Sequence, residues 1–237
     1  MQKCGLIGGI GPESTINYYA SINRLFQERT HSVASAPVFI NSIDLPKMIA
    51  FIQDDAKEAL TDYLATAVEE CALAGAEFAA LAACTPHVVF EQLQQRCSIP
   101  LLSIVEVTRD HAAKLGVTRA GILGTWFTMQ GNFFPKAFAR EGISIVQPSP
   151  TEQEYIHDKY FSELAKVVLK AETRTELIRI IQNLKSRETI DAILLGGTEL
   201  SLILTGESIC EIPLLDTTAI HVEAITERIL SGDRSSK

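Results

Sequence analysis

The chain alternates short apolar runs with longer segments in which apolar residues recur at helical spacing. Parallel strands that are buried on both faces give such runs, and each needs a crossover, usually a helix, to reach the next strand. The pattern therefore predicts an α/β fold of mainly parallel sheets flanked by helices. Strands are predicted at residues 3–9, 37–43, 78–84, 100–104, 120–125, 143–148, 192–197 and 212–216, and helices at residues 56–74, 106–115 and 173–186 among others.

Two pairs of segments resemble each other at nearly the same distance along the chain. GLIGGIGPEST, which begins at Gly5, parallels GILGTWFTMQG, which begins 116 positions later at Gly121. FAALAACTPH parallels AILLGGTELS, and 113 positions separate their threonines, Thr85 and Thr198. The agreement predicts a duplicated α/β unit. The alternative is that two ordinary strand-end patterns agree by chance.

The duplication predicts two pseudo-symmetric lobes. The first is expected at residues 1–104 together with residues 217–237, which hold a returning C-terminal helix, and the second at residues 105–216. Ligands of open parallel sheets bind beyond the carboxyl ends of the strands. We therefore expect an active-site cleft between the lobes.

Composition excludes several classes of function. Of the 237 residues, 46% are hydrophobic and 21% charged, which is typical of a well-buried globular protein. The net charge of −8 argues against nucleic acid or an anionic membrane as a partner. No apolar run approaches the roughly 20 residues that span a bilayer, and the N-terminal apolar stretch is too short for a signal peptide. The five cysteines are scattered without a CxxC or Cys/His cluster, so we expect a reduced, cytoplasmic protein without a metal.

The segment GGIGPEST follows the first predicted strand and precedes a plausible helix. Gly9 and Gly11 match the first two glycines of G-x-G-x-x-G, but Ser14 stands at the third position. Backbone N–H groups at such a turn bind phosphate or carboxylate. Three interpretations stay open: a carboxylate site, a nucleotide site with Asp44 after the second strand as its acidic residue, or a tight turn alone, which Pro12 favours.

Four segments in order resemble the aspartate/glutamate (Asp/Glu/hydantoin) racemase family over essentially the whole chain: GLIGGIGPEST, the CTPH turn, the GGTE turn and the closing LLDTTAIH. The resemblance implies an isomerase, a cofactor-independent amino-acid racemase that forms homodimers. It also implies a catalytic cysteine in each lobe, since one thiolate removes the α-proton and an opposite thiol returns one.

The resemblance places these cysteines at two positions where the chain has Ala83 and Gly197, neither of which carries a proton. Cys84 stands one place late, and adjacent strand residues point to opposite faces. Cys84 is a catalytic candidate only if a β-bulge redirects its side chain, and is otherwise expected to be a small buried residue. The other catalytic candidates are Glu199 and His87, whose ordinary pKa of about 6.5 suits proton transfer. A purely structural role is the alternative for His87.

The resemblance also implies a set of substrate-binding residues at the strand ends: Gly9, Gly11, Ser14, Thr85, Thr125 and Thr198. An equally good interpretation of the three threonines is that they cap the turns that follow them. Trp126 either narrows the mouth of the cleft or packs beneath a loop.

The expected ligand is a small amino acid or carboxylic acid, with no cofactor. By resemblance the reaction is proton transfer at the α-carbon, but ordinary two-cysteine racemisation is not expected. A divergent one-base isomerase or lyase and a catalytically silent carboxylate binder both stay open, with a nucleotide-binding protein as a third interpretation.

Overall fold

The computed structural model of the protein describes residues 1–232 and divides into two compact units. Unit 1 consists of Met1–Ile104 and the chain from His221 onward, and unit 2 of Val105–Ile220. Residues 233–237, which the sequence assigns to the first lobe, lie outside the described residues.

Nine strands and eleven α-helices follow one another along residues 1–232. The strands are β1 (Cys4–Gly8), β2 (Val38–Ser42), β3 (Phe78–Leu81), β4 (Leu101–Leu102), β5 (Arg119–Gly124), β6 (Ser144–Val146), β7 (Ala192–Gly196), β8 (Ser208–Ile209) and β9 (Ile212–Asp216). The helices are α1 (Pro12–Thr30), α2 (Leu45–Gln53), α3 (Lys57–Leu73), α4 (Phe90–Arg96), α5 (Ile104–Lys114), α6 (Trp126–Gln130), α7 (Phe133–Phe138), α8 (Pro150–Ser162), α9 (Ala171–Glu188), α10 (Leu200–Ile203) and α11 (Thr217–Ser231). Short 3-10 helices occur at Thr85–Val89, Ala139–Glu141 and Leu164–Lys166.

The two sheets repeat one topology. Unit 1 has the parallel order β2-β1-β3-β4, and unit 2 has β6-β5-β7-β9 with β8 added antiparallel to β9. The registers also correspond, because Gly5 of β1 pairs with Ala79 and Gly121 of β5 pairs with Ile193. The predicted α/β fold, with two pseudo-symmetric units built on mainly parallel sheets flanked by helices, is confirmed.

All eight predicted strands occur, each close to its expected place. The prediction of a strand over residues 78–84 is wrong at its end, because β3 stops at Leu81 and the chain turns into the 3-10 helix Thr85–Val89. The strand β8 was not predicted. Two residues paired to the edge of a sheet are too short to leave a periodic pattern.

Alternate residues of the unit 1 strands face two different apolar clusters. Ile7 and Leu81 pack on one face of the sheet against a cluster that includes Leu64 of α3, whereas Leu6 packs on the other face with Tyr18 of α1. This alternation is the two-residue period of a strand with both faces covered.

Unit 2 has a large cluster of its own, in which strands β5 and β7 are covered by helices α8 and α9. Leu123 and Ile193 of the strands lie in it with Ile156 of α8 and Ile181 of α9. Within residues 1–232, the structure contains no helix that is long and apolar enough to cross a membrane.

Candidate active site

The glycine turn of unit 1 is closed by a threonine of the helix that follows it. Gly9 and Gly11 have φ angles of +78° and +86°, in the left-handed region that favours glycine. The Gly9 N–H donates to Oγ1 of Thr15 at 2.9 Å, and that hydroxyl donates to the Gly11 carbonyl at 3.2 Å. A Cβ on Gly9 would run into the carbonyl oxygen of Ile43. Thr15 was not singled out from the sequence, although it stands in the first turn of α1, where a side chain reaches back to such a loop.

Ser14 uses its hydroxyl within the protein. It is buried, and its Oγ donates to the carbonyl oxygen of Ala82 at 3.0 Å. This bond holds the start of α1 against the chain that leaves β3. The glycine turn and the first threonine turn, which we define as residues 82–87, are thereby brought together.

The first threonine turn is largely buried and contains no Asp, Glu, Lys or Arg. Ala83 is 9% exposed and belongs to the cluster that α3 covers. Cys84 is 3% exposed and has helical backbone angles of φ −78° and ψ −41°. Because both residues lie beyond Leu81, the last residue of β3, no strand bulge places the Cys84 thiol. Thr85 is half-buried.

His87 is held inside unit 1 as a neutral ring. Its imidazole stacks on Phe90 with centroids 4.8 Å apart and ring planes 5° apart. Burial lowers the pKa of His87 to about 3, with the nearby His221 acting in the same direction and hydrogen bonds to the backbone of Cys84 and Ala83 acting in the opposite one. In the folded protein His87 therefore does not keep the ordinary pKa of about 6.5 that suits proton transfer. A ring with so low a pKa is a weak base.

His221 also has a structural environment. Its Nε2 lies 3.1 Å from the carbonyl oxygen of Leu102, and its Nδ1 lies 3.0 Å from the hydroxyl of Tyr18. A neutral ring with the proton on Nε2 donates to the carbonyl and accepts from the tyrosine. Burial lowers the pKa of His221 to about 4. These contacts fasten α11 to α1 and β4.

In unit 2, Thr125 takes the place that Gly9 has in the repeated segment. It is the N-cap residue of α6, with an extended backbone, and its Oγ1 accepts from the Thr128 N–H at 3.4 Å. The capping interpretation of Thr125 therefore applies. Trp126, which follows, is 40% exposed, so it does not pack beneath a loop. The backbone N–H of Trp126 donates to Nδ1 of His157 at 3.0 Å.

The second threonine turn, residues 197–199, is polar and buried. Thr198 and Glu199 are 7% and 4% exposed, and the Thr198 hydroxyl donates to Oε2 of Glu199 at 2.7 Å. The hydroxyl of Tyr160, from α8, donates to the same oxygen. A Cβ on Gly197 would lie 2.5 Å from Cε2 and 2.8 Å from Oη of Tyr160. The ring of Tyr160 thus lies where a side chain at position 197 would begin.

Tyr160 was missed by the sequence reasoning. The signal that could have found it is the second of two adjacent glycines, since a residue without Cβ at a buried strand end admits a large neighbour.

Asp216, at the end of β9, accepts from the N–H groups of Thr218 and Ala219 at 2.9 and 3.1 Å and so caps the start of α11. Burial raises the pKa of Asp216. Among the residues from 1 to 232, no group of three or more His, Cys, Asp or Glu side chains is placed to hold a metal ion.

The chain is similar to known proteins along almost its whole length. The Asp/Glu/hydantoin racemase family matches residues 7–225. The broad specificity amino-acid racemase RacX of Bacillus subtilis (strain 168) is 27% identical over 248 residues, which cover 96% of this chain and 98% of the relative.

Two solved structures are similar at the level of the fold and of the sequence. A candidate Asp/Glu racemase from Yersinia pestis has a TM-score of 0.89 at 28% identity, covering 97% of this chain and 100% of the other. An aspartate racemase homologue from Pyrococcus horikoshii OT3 has a TM-score of 0.85 at 31% identity, with the same coverage.

Proposed function

The chain belongs to the Asp/Glu/hydantoin racemase family, and we propose that it catalyses cofactor-independent proton transfer at the α-carbon of a small, acidic amino acid. The observation that carries the proposal is the family match over residues 7–225. Similarity to RacX and to an aspartate racemase homologue supports an amino acid as the ligand. The turns at the carboxyl ends of the strands, where ligands of parallel sheets bind, support the location of the chemistry.

The proposed reaction differs from ordinary racemisation. If the family cysteines correspond to Ala83 and Gly197, neither face of the substrate meets a thiol from these positions, and two-thiol exchange is not available. The remaining candidates are Cys84, buried in the first threonine turn, and Glu199, buried in the second. His87 is the weakest of the three because its pKa is lowered to about 3. We therefore expect one-sided proton exchange, with slow or absent interconversion of D and L forms.

A catalytically silent carboxylate binder is the second candidate. It is favoured by one observation: the first threonine turn holds no acid or base other than a buried thiol and a neutral histidine. In that case the glycine turn and the hydroxyl of Thr85, both in unit 1, would hold a carboxylate without turnover.

We also propose a cytoplasmic homodimer. The scattered, odd-numbered cysteines are consistent with a reducing compartment, and the net charge of −8 does not favour an anionic surface. The dimer is an expectation from the family, and size-exclusion chromatography with light scattering tests it.

The decisive experiment measures deuterium incorporation at Cα in D₂O across both enantiomers of aspartate, glutamate and a panel of small amino and hydroxy acids. We expect label to enter at least one acidic amino acid, while chiral chromatography shows slow net racemisation. The Glu199→Gln protein should exchange more slowly. Cys97→Ser, which changes a half-buried cysteine elsewhere in unit 1, serves as the control.

Three outcomes would contradict this proposal in different ways. Label that enters none of the substrates, in a protein that still binds dicarboxylates in a thermal-shift assay, would favour the silent binder. Rapid interconversion of aspartate or glutamate that is abolished by Cys84→Ser would show that Cys84 supplies the missing thiol. Stabilisation by nucleotides rather than dicarboxylates would favour the nucleotide interpretation.

A further inference from the structure

In unit 2 a phenolic hydroxyl lies in the space that the family resemblance gives to a thiol. We propose that Tyr160 is the proton-transfer residue of the second threonine turn, and that Glu199 accepts and returns its proton. This inference rests on the proposed function and names the group that performs it in unit 2.

The position of the hydroxyl is the first support. A cysteine at position 197 would carry Sγ one bond beyond its Cβ. That Cβ would lie 2.8 Å from Oη of Tyr160 and 2.5 Å from Cε2. The phenol and a thiol at position 197 therefore compete for the same space, and Gly197 is the residue that leaves this space to the phenol.

The hydrogen bonds of the hydroxyl are the second support. Tyr160 donates to Oε2 of Glu199, and Thr198 donates to the same atom at 2.7 Å. An ionised carboxylate has only acceptor positions, so one of its oxygens can accept both O–H donors. All three side chains are at most 8% exposed. In such surroundings a hydrogen bond to a charged group is stronger than in water, so the phenol and the carboxylate stay aligned.

The helix that carries Tyr160 holds the phenol in place. Helix α8 starts at a capping box in which the Ser149 N–H donates to Glu152 at 2.8 Å. Ile156 and Tyr160 then follow at a spacing of four residues on the buried face, in the same cluster as Leu195 of β7. Groups fixed in this way by packing need little reorganisation when the proton moves.

The proton transfers balance without a further reactant. In the forward direction the substrate Cα–H bond breaks as an O–H bond forms at Oη of Tyr160. The original phenol proton passes to Oε2 of Glu199, which becomes a neutral acid. The electron pair of the Cα–H bond stays on the substrate as the carbanion. Reversal of both transfers restores Tyr160 and Glu199, and in D₂O exchange of the proton now held at Oη of Tyr160 before reversal places deuterium on Cα.

The test compares Tyr160→Phe with Tyr155→Phe in the Cα-exchange assay. Tyr160→Phe removes only the hydroxyl and keeps the ring over Gly197. Tyr155→Phe makes the same change on the same helix, at a half-buried side chain packed against the same cluster. We expect Tyr160→Phe to lower kcat for exchange at least 100-fold, within the range typical of general acid–base catalysis. Its Kd for the substrate should change little, its Tm should fall because a buried hydrogen bond is lost, and Tyr155→Phe should exchange like the wild type.

The outcomes separate this inference from the proposed function. Exchange by the wild-type protein that persists in Tyr160→Phe would overturn the role of Tyr160 while leaving the function in place. Exchange absent from the wild-type protein for every substrate would overturn both. If Tyr160→Phe does not fold, Glu199→Gln replaces it, because it keeps the phenol and removes the proton acceptor. A folded Glu199→Gln protein with wild-type kcat would then overturn the inference.

Discussion

The two threonine turns stand at equivalent places in a repeated fold and have opposite character. In unit 1 the turn after β3 presents Ala83 and Cys84, both buried, and the nearby His87 is a neutral ring. In unit 2 the turn after β7 presents the carboxylate of Glu199, which accepts hydrogen bonds from the hydroxyls of Tyr160 and Thr198. The scaffold is thus shared, but of the two turns only the second carries a carboxylate. The repeated fold determines the position of each threonine turn, and a few side chains determine the chemistry that the turn can support.

The glycine turn and its counterpart differ in a second way. The chain after β1 passes through Gly9 with φ of +78°, whereas the chain after β5 passes through Thr125 with φ of −67°. In the first turn the Gly9 N–H donates to the hydroxyl of Thr15, six residues further along the chain. In the second turn the hydroxyl of Thr125, the N-cap residue, accepts from the Thr128 N–H, three residues further along. Unit 1 therefore depends on backbone geometry at this place, while unit 2 depends on a side chain.

Replacing Gly9 should have the largest effect on stability. Gly9→Ala forces a Cβ into the left-handed region and into the Ile43 carbonyl, so we expect the free energy of unfolding to fall by about 4 kcal/mol. Gly142→Ala is the matched control, because Gly142 has a φ of +72° with nothing within 4 Å of the added Cβ. It should cost about 1 kcal/mol, from backbone strain alone. Urea denaturation measures both values, and equal losses would show that the Ile43 contact does not matter.

Introducing a thiol into each threonine turn should test the difference between the turns directly. Gly197→Cys forces the Tyr160 ring to move and should lower the free energy of unfolding by about 3 kcal/mol. Ala83→Cys adds one atom to an existing side chain and should cost about 1 kcal/mol.

A double-mutant cycle then locates the cause of the loss. Combining Gly197→Cys with Tyr160→Ala should cost less than the sum of the single changes, because the second change removes the clash. Ala83→Cys and Tyr160→Ala should be additive. Additivity in both cycles would mean that the Tyr160 ring does not occupy the side-chain space of position 197.

Acidification should affect the two units in different pH ranges. His87 has a pKa of about 3 in the folded protein and about 6.5 when unfolded, so the unfolded state binds more protons below pH 6.5. Its contribution to stability is complete above that pH and is lost as pH falls. Between pH 7 and pH 5 we expect His87→Gln to lose about 2 kcal/mol less stability than the wild type.

A carboxylate of unit 2 provides the contrast. The pKa of Glu163 is lowered to about 2, first by a hydrogen bond from Thr173 and then by those from Lys170 and Lys159. Its contribution is present above the ordinary glutamate pKa and is lost only as pH falls toward 2. Glu163→Gln should therefore keep the wild-type pH dependence between pH 7 and pH 5. If His87→Gln also kept it, the histidine would not be held neutral.

The fold could be predicted from the sequence because its signals are local and repeated. Short apolar runs indicated all eight main strands, and the offset between Gly5 and Gly121 indicated the duplication. The pKa of His87 could not be predicted in this way, because it depends on burial by residues distant in sequence. Tyr160 was missed for the same reason: 37 positions separate it from Gly197, and only packing brings them together.

A threonine at a strand end can bind a ligand or cap the following helix, and Thr125 illustrates this ambiguity. Its replacement has the smallest expected effect on stability. The sequence supported ligand binding and capping equally, and the structure has its Oγ1 accepting from the Thr128 N–H. Thr125→Ala removes the Oγ1 acceptor and leaves the Thr128 N–H only its bond to the Thr125 carbonyl at 2.9 Å, which should lower the free energy of unfolding by about 1 kcal/mol. Thr125→Ser keeps the acceptor oxygen and should cost less. If both variants keep wild-type stability but bind substrate more weakly, the hydroxyl serves the ligand rather than the helix, and the two units would be alike in using their first turn for binding.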